Sequence, residues 1–72
     1  MASKKKTLVE LFALNFAKLR AERKLTQQKL AEEMGMSVSY VSMLERGERT
    51  PPLSTLEKIG QALGVDPLEL LE

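Results

Sequence analysis

The 72-residue chain contains no cysteine and no histidine. Without thiols there is no disulfide and no thiolate nucleophile, and the Cys/His zinc frameworks go with them. Without imidazole the usual general base near neutral pH is missing as well. No metal site or cofactor is therefore expected, and a stapled mini-fold is excluded. Aromatic residues are scarce, two Phe and one Tyr with no Trp. Long runs of β-branched residues are also absent, which argues against strands. The apolar stretches, such as Leu11 to Leu14, fall far short of the ~20 residues of a membrane span. The Lys4 to Lys6 run does not lead into an uninterrupted signal-peptide core. No membrane association is expected, and an intracellular, cytoplasmic protein is the reading.

What is present describes one small globular unit. Hydrophobic residues make up 43% and charged residues 29%, with 11 Lys and Arg against 10 Asp and Glu, 4 Gly and 3 Pro. This composition is neither disordered nor fibrous. Residues 7–72 are expected to form a single domain. Residues 1–6, with nothing apolar to bury, read as a basic flexible N-terminal arm.

Helix starts are well marked. Thr7, Ser54 and Asp66 each stand three residues before a Glu that can reach back to the cap, the pattern of a capping box. Thr26 and Ser37 are further caps without that Glu. Gly35, Gly47 and Gly64 follow apolar segments where a left-handed closing residue is needed. The first helix lacks such a glycine, so Lys24 either takes that backbone region or the helix ends in a tighter turn. These signals predict five helices, at 7–23, 27–34, 38–46, 54–63 and 67–71, in an all-α fold. Leu8, Phe12, Phe16 and Leu19 form one apolar stripe on the first helix. Leu11 and Leu14 lie off it, as extra core contacts or as surface for a second subunit. Leu56, Ile59 and Leu63 supply the fourth helix, where Gly60 in mid-helix implies a closely approaching neighbour.

The second and third helices are short and separated only by Gly35, Met36 and Ser37, so they must cross steeply, as in a helix-turn-helix. The residues meet that geometry one by one. Leu30 and Met34 face the core, Ala31 is small where the helices touch, Gly35 permits the turn, and Met36, Val41 and Leu44 hold the next helix down.

The stretch TQQKLAEEMGMSVSYVSMLERG, Thr26 to Gly47, resembles the phage-repressor-like helix-turn-helix family of Cro-type or Xre-type regulators. Phe16, Leu19 and Arg20 upstream and ERTPPLSTLEKIGQALGVDPLELL downstream match that family's first, fourth and fifth helices. The resemblance thus covers nearly the whole chain. It implies a compact five-helix, lambda-repressor-like domain and a dimeric bacterial or phage transcription regulator at the nucleoid, similar to stand-alone restriction-modification controller proteins. The chain departs from the commonest family pattern at Lys24, often Gly, and at Gly60, often Ala.

A helical wheel for the third helix puts Val41 and Leu44 on the buried side and Ser39, Ser42, Met43 and Arg46 opposite, with Val38 on the flank. These are candidate base-reading residues, together with Gln28 near the groove edge. Serine can donate or accept at any base and Val38 can meet a thymine methyl, but this face carries no Asn or Gln to clamp adenine. Gln27, Lys29, Tyr40 and Arg49 are candidate phosphate contacts, Gln27 by the family resemblance and by its place at a helix N-terminus. For Tyr40 a merely structural ring is an equal reading, and solvated charge is the bland reading of Lys29 and Arg49.

Charge is unevenly spread. Residues 1–50 hold ten Lys and Arg against six Glu, a net +4, whereas residues 51–72 hold one Lys against three Glu and one Asp, a net −3. Such a dipolar chain would be steered to double-stranded DNA by one face. Arg20, at the end of the first helix, and Glu45, on the inward flank of the third, are expected to form a structural ion pair, as matching residues commonly do in the resembling family. Leu53, Leu68 and Leu70 are candidate homodimer contacts, because one helix-turn-helix reads too few base pairs for tight specific binding. RNA polymerase is a further partner to consider, and no small-molecule ligand is evident. An enzyme is not expected, since the serines lack a convergent base and the carboxylates are dispersed. The competing reading is a protein-interaction module or antitoxin whose main partner is a protein.

Overall fold

Hydrogen-bonding side chains start three of the four α-helices in the computed structural model, which describes residues 7–72. The elements are α1 (Leu8–Glu22), α2 (Gln27–Met34), α3 (Val38–Glu45), α4 (Leu53–Leu63) and a 3-10 helix at Pro67–Leu71. Thr7 closes a capping box, its hydroxyl accepting from the Glu10 N–H at 3.1 Å while its own N–H donates to the Glu10 carboxylate at 2.9 Å. Thr26 accepts from the Lys29 N–H at 3.0 Å and Ser37 from the Tyr40 N–H at 3.1 Å. These bonds satisfy amides that the first turn of a helix leaves without partners.

Ser54 does not cap α4. The helix begins one residue earlier, after Pro52, and has no side-chain cap. The extended backbone of Pro52 lets its own carbonyl accept from the Thr55 and Leu56 amides at 3.0 Å, which places Ser54 inside the first turn. The expected fifth α-helix is likewise corrected to a 3-10 helix. Five residues led by a proline are too few to establish α-helical pairing, and short pieces of this kind favour the tighter turn. The Asp66 and Glu69 capping box is nevertheless formed there.

All four α-helices close in the same way. The amides of Leu25, Met36, Glu48 and Val65 reach back to the carbonyls of Arg20, Ala31, Met43 and Gly60. This six-to-one bond needs a left-handed residue just before its donor. Glycine serves in three cases and Lys24, at φ 57°, in the first.

The helices enclose one core. Phe12 and Phe16 of α1 stack with ring centroids 5.4 Å apart and meet Leu30, Ala31 and Met34 of α2, Val41 and Leu44 of α3, Leu56, Ile59 and Leu63 of α4, and Leu70. Leu19, Met36, Tyr40 and Leu71 pack on its edge. Two long-range bonds fasten the periphery. The Asn15 amide donates to the Leu70 carbonyl at 3.0 Å, and the Arg23 guanidinium donates to the Leu63 carbonyl at the end of α4. Gly60 has the close neighbour anticipated for it, since a Cβ there would stand 2.8 Å from the Val65 carbonyl oxygen and 2.9 Å from a Pro67 ring carbon.

Several leucines fall elsewhere than expected. Leu8, assigned to the core stripe, is 66% exposed, and Leu14 is 54% exposed rather than an extra core contact. Leu8 sits in the first turn of α1, and of the stripe only Phe12 and Phe16 are deeply covered. Leu70, read as a dimer contact, has no exposed surface and belongs to the core, leaving Leu53 and Leu68 on the outside. The 3-10 winding turns Leu70 inward toward α1, whose Asn15 holds its carbonyl. Residues 1–6, including the expected basic arm, lie outside the described residues. Among the described residues no helix is long and apolar enough to cross a membrane.

A left-handed conformation costs a residue with a Cβ about 1–2 kcal/mol, partly offset in glycine by its larger unfolded-state entropy. Lys24→Gly is therefore expected to stabilise the fold by about 0.5–1 kcal/mol in urea unfolding. An unchanged or lower midpoint would show that the Lys24 turn carries no strain.

Candidate nucleic-acid interface

The turn between α2 and α3 fixes what α3 can present. Gly35 and Met36 close α2, Ser37 opens α3 at once, and the buried Val41 and Leu44 orient α3 against the core. Its opposite side then faces outward. Val38, Ser39, Ser42, Met43 and Arg46 together with Gln27 of α2 line one shallow concavity. Five of the six residues expected to read bases share this surface with one expected to hold phosphate. Gln28 and Lys29 are exposed in the first turn of α2, and Arg49 is exposed beyond the end of α3, none of them lining the concavity. Tyr40 is half-buried, its ring packed on the core, and it stands outside that surface too.

Behind the concavity lies an ion-pair network. Arg20 donates through Nε and Nη2 to the two carboxylate oxygens of Glu45, the second bond at 3.1 Å, and through Nη1 to the Leu25 carbonyl at 2.6 Å. Gln27 donates its side-chain N–H to the same Glu45 carboxylate at 3.0 Å. The pair is mostly withdrawn from water, with side-chain exposures of 20% for Arg20 and 9% for Glu45. The carboxylate hydrogen bond raises the Arg20 pKa above its ordinary value against an opposing effect of burial. One carboxylate thus ties α3 to the end of α1 and the start of α2. No buried side-chain nitrogen or oxygen among the described residues lacks a partner.

Arg46 sits at the end of α3, and Glu48 holds it. Nε donates to one Glu48 oxygen at 2.9 Å and Nη2 to the other at 3.0 Å, while Nη1 donates to the Ser42 hydroxyl. The bidentate carboxylate raises the Arg46 pKa, and the guanidinium lowers that of Glu48. Glu48 was not among the residues singled out from the sequence. The two side chains pair across the left-handed Gly47.

The helix-turn-helix family profile matches residues 16–70, more than half of the chain. The chain belongs to the helix-turn-helix family. It is 47% identical over 62 residues to an uncharacterized HTH-type transcriptional regulator, y4dJ, of Sinorhizobium fredii, an alignment covering 86% of this chain and 80% of the relative. A hypothetical transcription factor from Neisseria, NHTF, superposes with a TM-score of 0.89 at 32% identity, covering 100% of this chain and 85% of the other. The restriction-modification controller protein C.AhdI from Aeromonas hydrophila superposes at 0.83 with 35% identity, over 86% of this chain and 94% of that one. Its relatives are transcription regulators, and the small-controller resemblance seen in the sequence extends to the fold.

Truncating one member of a buried pair strands the other's charge. Arg20→Ala is expected to cost about 3 kcal/mol of stability in denaturant unfolding. A variant that melted like the parent would show that Glu45 does not depend on Arg20. For the exposed pair, NMR titration of the Glu48 carboxyl should give a midpoint below that of an ordinary glutamate, so Glu48 stays charged as pH falls until below the usual range. In Arg46→Ala the midpoint should rise back to the ordinary value; no movement would mean that the two side chains do not pair in solution.

Proposed function

We propose that this protein is a sequence-specific, double-stranded-DNA-binding transcription regulator that works as a homodimer, placing α3 in the major groove of an inverted-repeat operator. The observation that carries the reading is the concavity on α3, where small polar and apolar side chains and one guanidinium stand together on a helix anchored from behind by Glu45. A groove-reading element needs both parts, short side chains that admit base edges and a rigid helix that fixes their register. Val38, Ser39, Ser42, Met43 and Arg46 are assigned to bases, with Gln28 at the groove edge. Gln27, Lys29 and Arg49 are assigned to phosphates. Tyr40 is a weaker phosphate candidate because its ring is spent on the core. Gln27 keeps one amide N–H and its backbone N–H for a phosphate after bonding Glu45.

A homodimer is supported by an apolar surface that shares no residue with this concavity. Leu8, Leu53 and Leu68 are exposed at 66%, 80% and 66%. Two neighbouring grooves join them, one lined by Leu8, Val9, Phe12, Thr50, Pro51, Leu56 and Leu71, the other by Leu53, Leu56, Glu57, Asp66, Pro67, Leu68 and Leu71. An apolar surface of this kind is the sort that a second subunit covers. A two-fold pairing would set the two α3 helices about 34 Å apart, one turn of duplex. Contact with RNA polymerase would follow where the operator adjoins a promoter, and the site of action is the bacterial nucleoid.

Selection of sites from a random duplex pool at near-physiological salt tests the reading. Enrichment of an inverted repeat is expected, and Leu53→Lys with Leu68→Lys should weaken binding to the full repeat more than to a half-site. If no sequence is enriched even at low salt, the regulator reading fails and protein partners become the alternative.

A further inference from the structure

Arg46 is the one long charged side chain lining the α3 concavity, yet a carboxylate is held against it. For a residue meant to grip phosphate that arrangement is poor, because Glu48 cancels its charge and would itself be repelled by the DNA backbone. The geometry suits a different task. A guanidinium has five N–H donors, one on Nε and two on each Nη. Glu48 takes the Nε donor and one on Nη2, and Ser42 takes one on Nη1. Two donors remain, one on each terminal nitrogen, and a guanine presents two acceptors, O6 and N7, to such a pair. The side chain is held on the flank by a bidentate carboxylate and from α3 by a hydroxyl, so its long stem is already ordered before any base arrives.

We propose that Glu48 and Ser42 are positioning residues that hold Arg46 as a bidentate reader of guanine, and that each operator half-site carries a guanine opposite the C-terminal end of α3. This deepens the DNA-binding reading and rests on it. Glu48 thereby trades affinity for discrimination. Its negative charge weakens binding to any duplex, while the orientation it enforces favours the one base that Arg46 can bond twice. Ser42 accepts from Arg46 and keeps its own O–H to donate to a base.

The test combines site selection with binding to modified duplexes. Wild-type protein, Arg46→Ala, Glu48→Ala and Glu48→Asp are each used, their folding checked by circular dichroism; both side chains are about half exposed, at 54% and 53%, so the fold should survive. The wild-type profile should show a guanine whose preference vanishes in Arg46→Ala. Replacing that guanine with 7-deazaguanine, which lacks the N7 acceptor, should cost wild type about tenfold or more in Kd and should cost Arg46→Ala little. In Glu48→Ala the penalty should shrink, while affinity for random duplex rises and its salt dependence steepens. Glu48→Asp should recover part of the discrimination, which a merely structural residue would not do. A 7-deazaguanine penalty equal in wild type and Arg46→Ala, or a lost preference for some base other than guanine, would overturn this assignment while leaving the regulator reading intact. Unchanged discrimination in Glu48→Ala would remove Glu48 from it. Failure of wild type to bind any selected duplex would instead sink both.

Discussion

The Glu45 carboxylate is the point through which the presentation of α3 is decided. It accepts from Arg20 of α1 and from Gln27 at the start of α2, so three segments meet on one side chain. Apolar contacts beneath, through the buried Val41 and Leu44, hold α3 against the core but are not directional. Hydrogen bonds from Arg20 and Gln27 add direction because their energy falls steeply with angle. Desolvating the pair consumes much of what its attraction returns, so its value lies in alignment more than in net stability. With Arg20 also bonded to the Leu25 carbonyl, the loop between α1 and α2 is drawn into the same framework.

The front of α3 depends on a second carboxylate of a different kind. Glu48 is exposed, screened by water and worth little to folding, yet it accepts from both Nε and Nη2 of Arg46. Glu45 thus ties α3 to its neighbours, and Glu48 holds the guanidinium at its end. The wider charge pattern points the same way, with the net positive balance in residues 1–50, where the helix-turn-helix lies, and the negative balance in residues 51–72.

Hydrogen-bonding punctuation was legible in the sequence wherever a single residue decides it. Thr7, Thr26, Ser37 and Asp66 cap as their spacing implies, and Gly35, Gly47 and Gly64 close helices where expected. Ser54 failed because Pro51 and Pro52 set the chain direction just upstream, and a competing constraint of that sort outweighs a favourable cap. The helical wheel likewise found five members of one surface on or beside α3, because Val41 and Leu44 define a buried side and the remainder must face away.

By itself the sequence determined most helix ends, the helix-turn-helix, and the outward side of α3, since all of these follow from bonds and periodicities within a few residues. Tertiary structure alone decided the leucines and the partners of the side-chain amides. Leu8, Leu14, Leu68 and Leu70 are one residue type with one hydropathy, and only the reach of neighbouring elements leaves three in water and covers the fourth. Gln27 joining Glu45, and Asn15 holding the Leu70 carbonyl, depend on segments 18 and 55 residues apart arriving at one place. Periodicity gives a side chain's direction from its own helix axis and carries no information about what stands there to meet it.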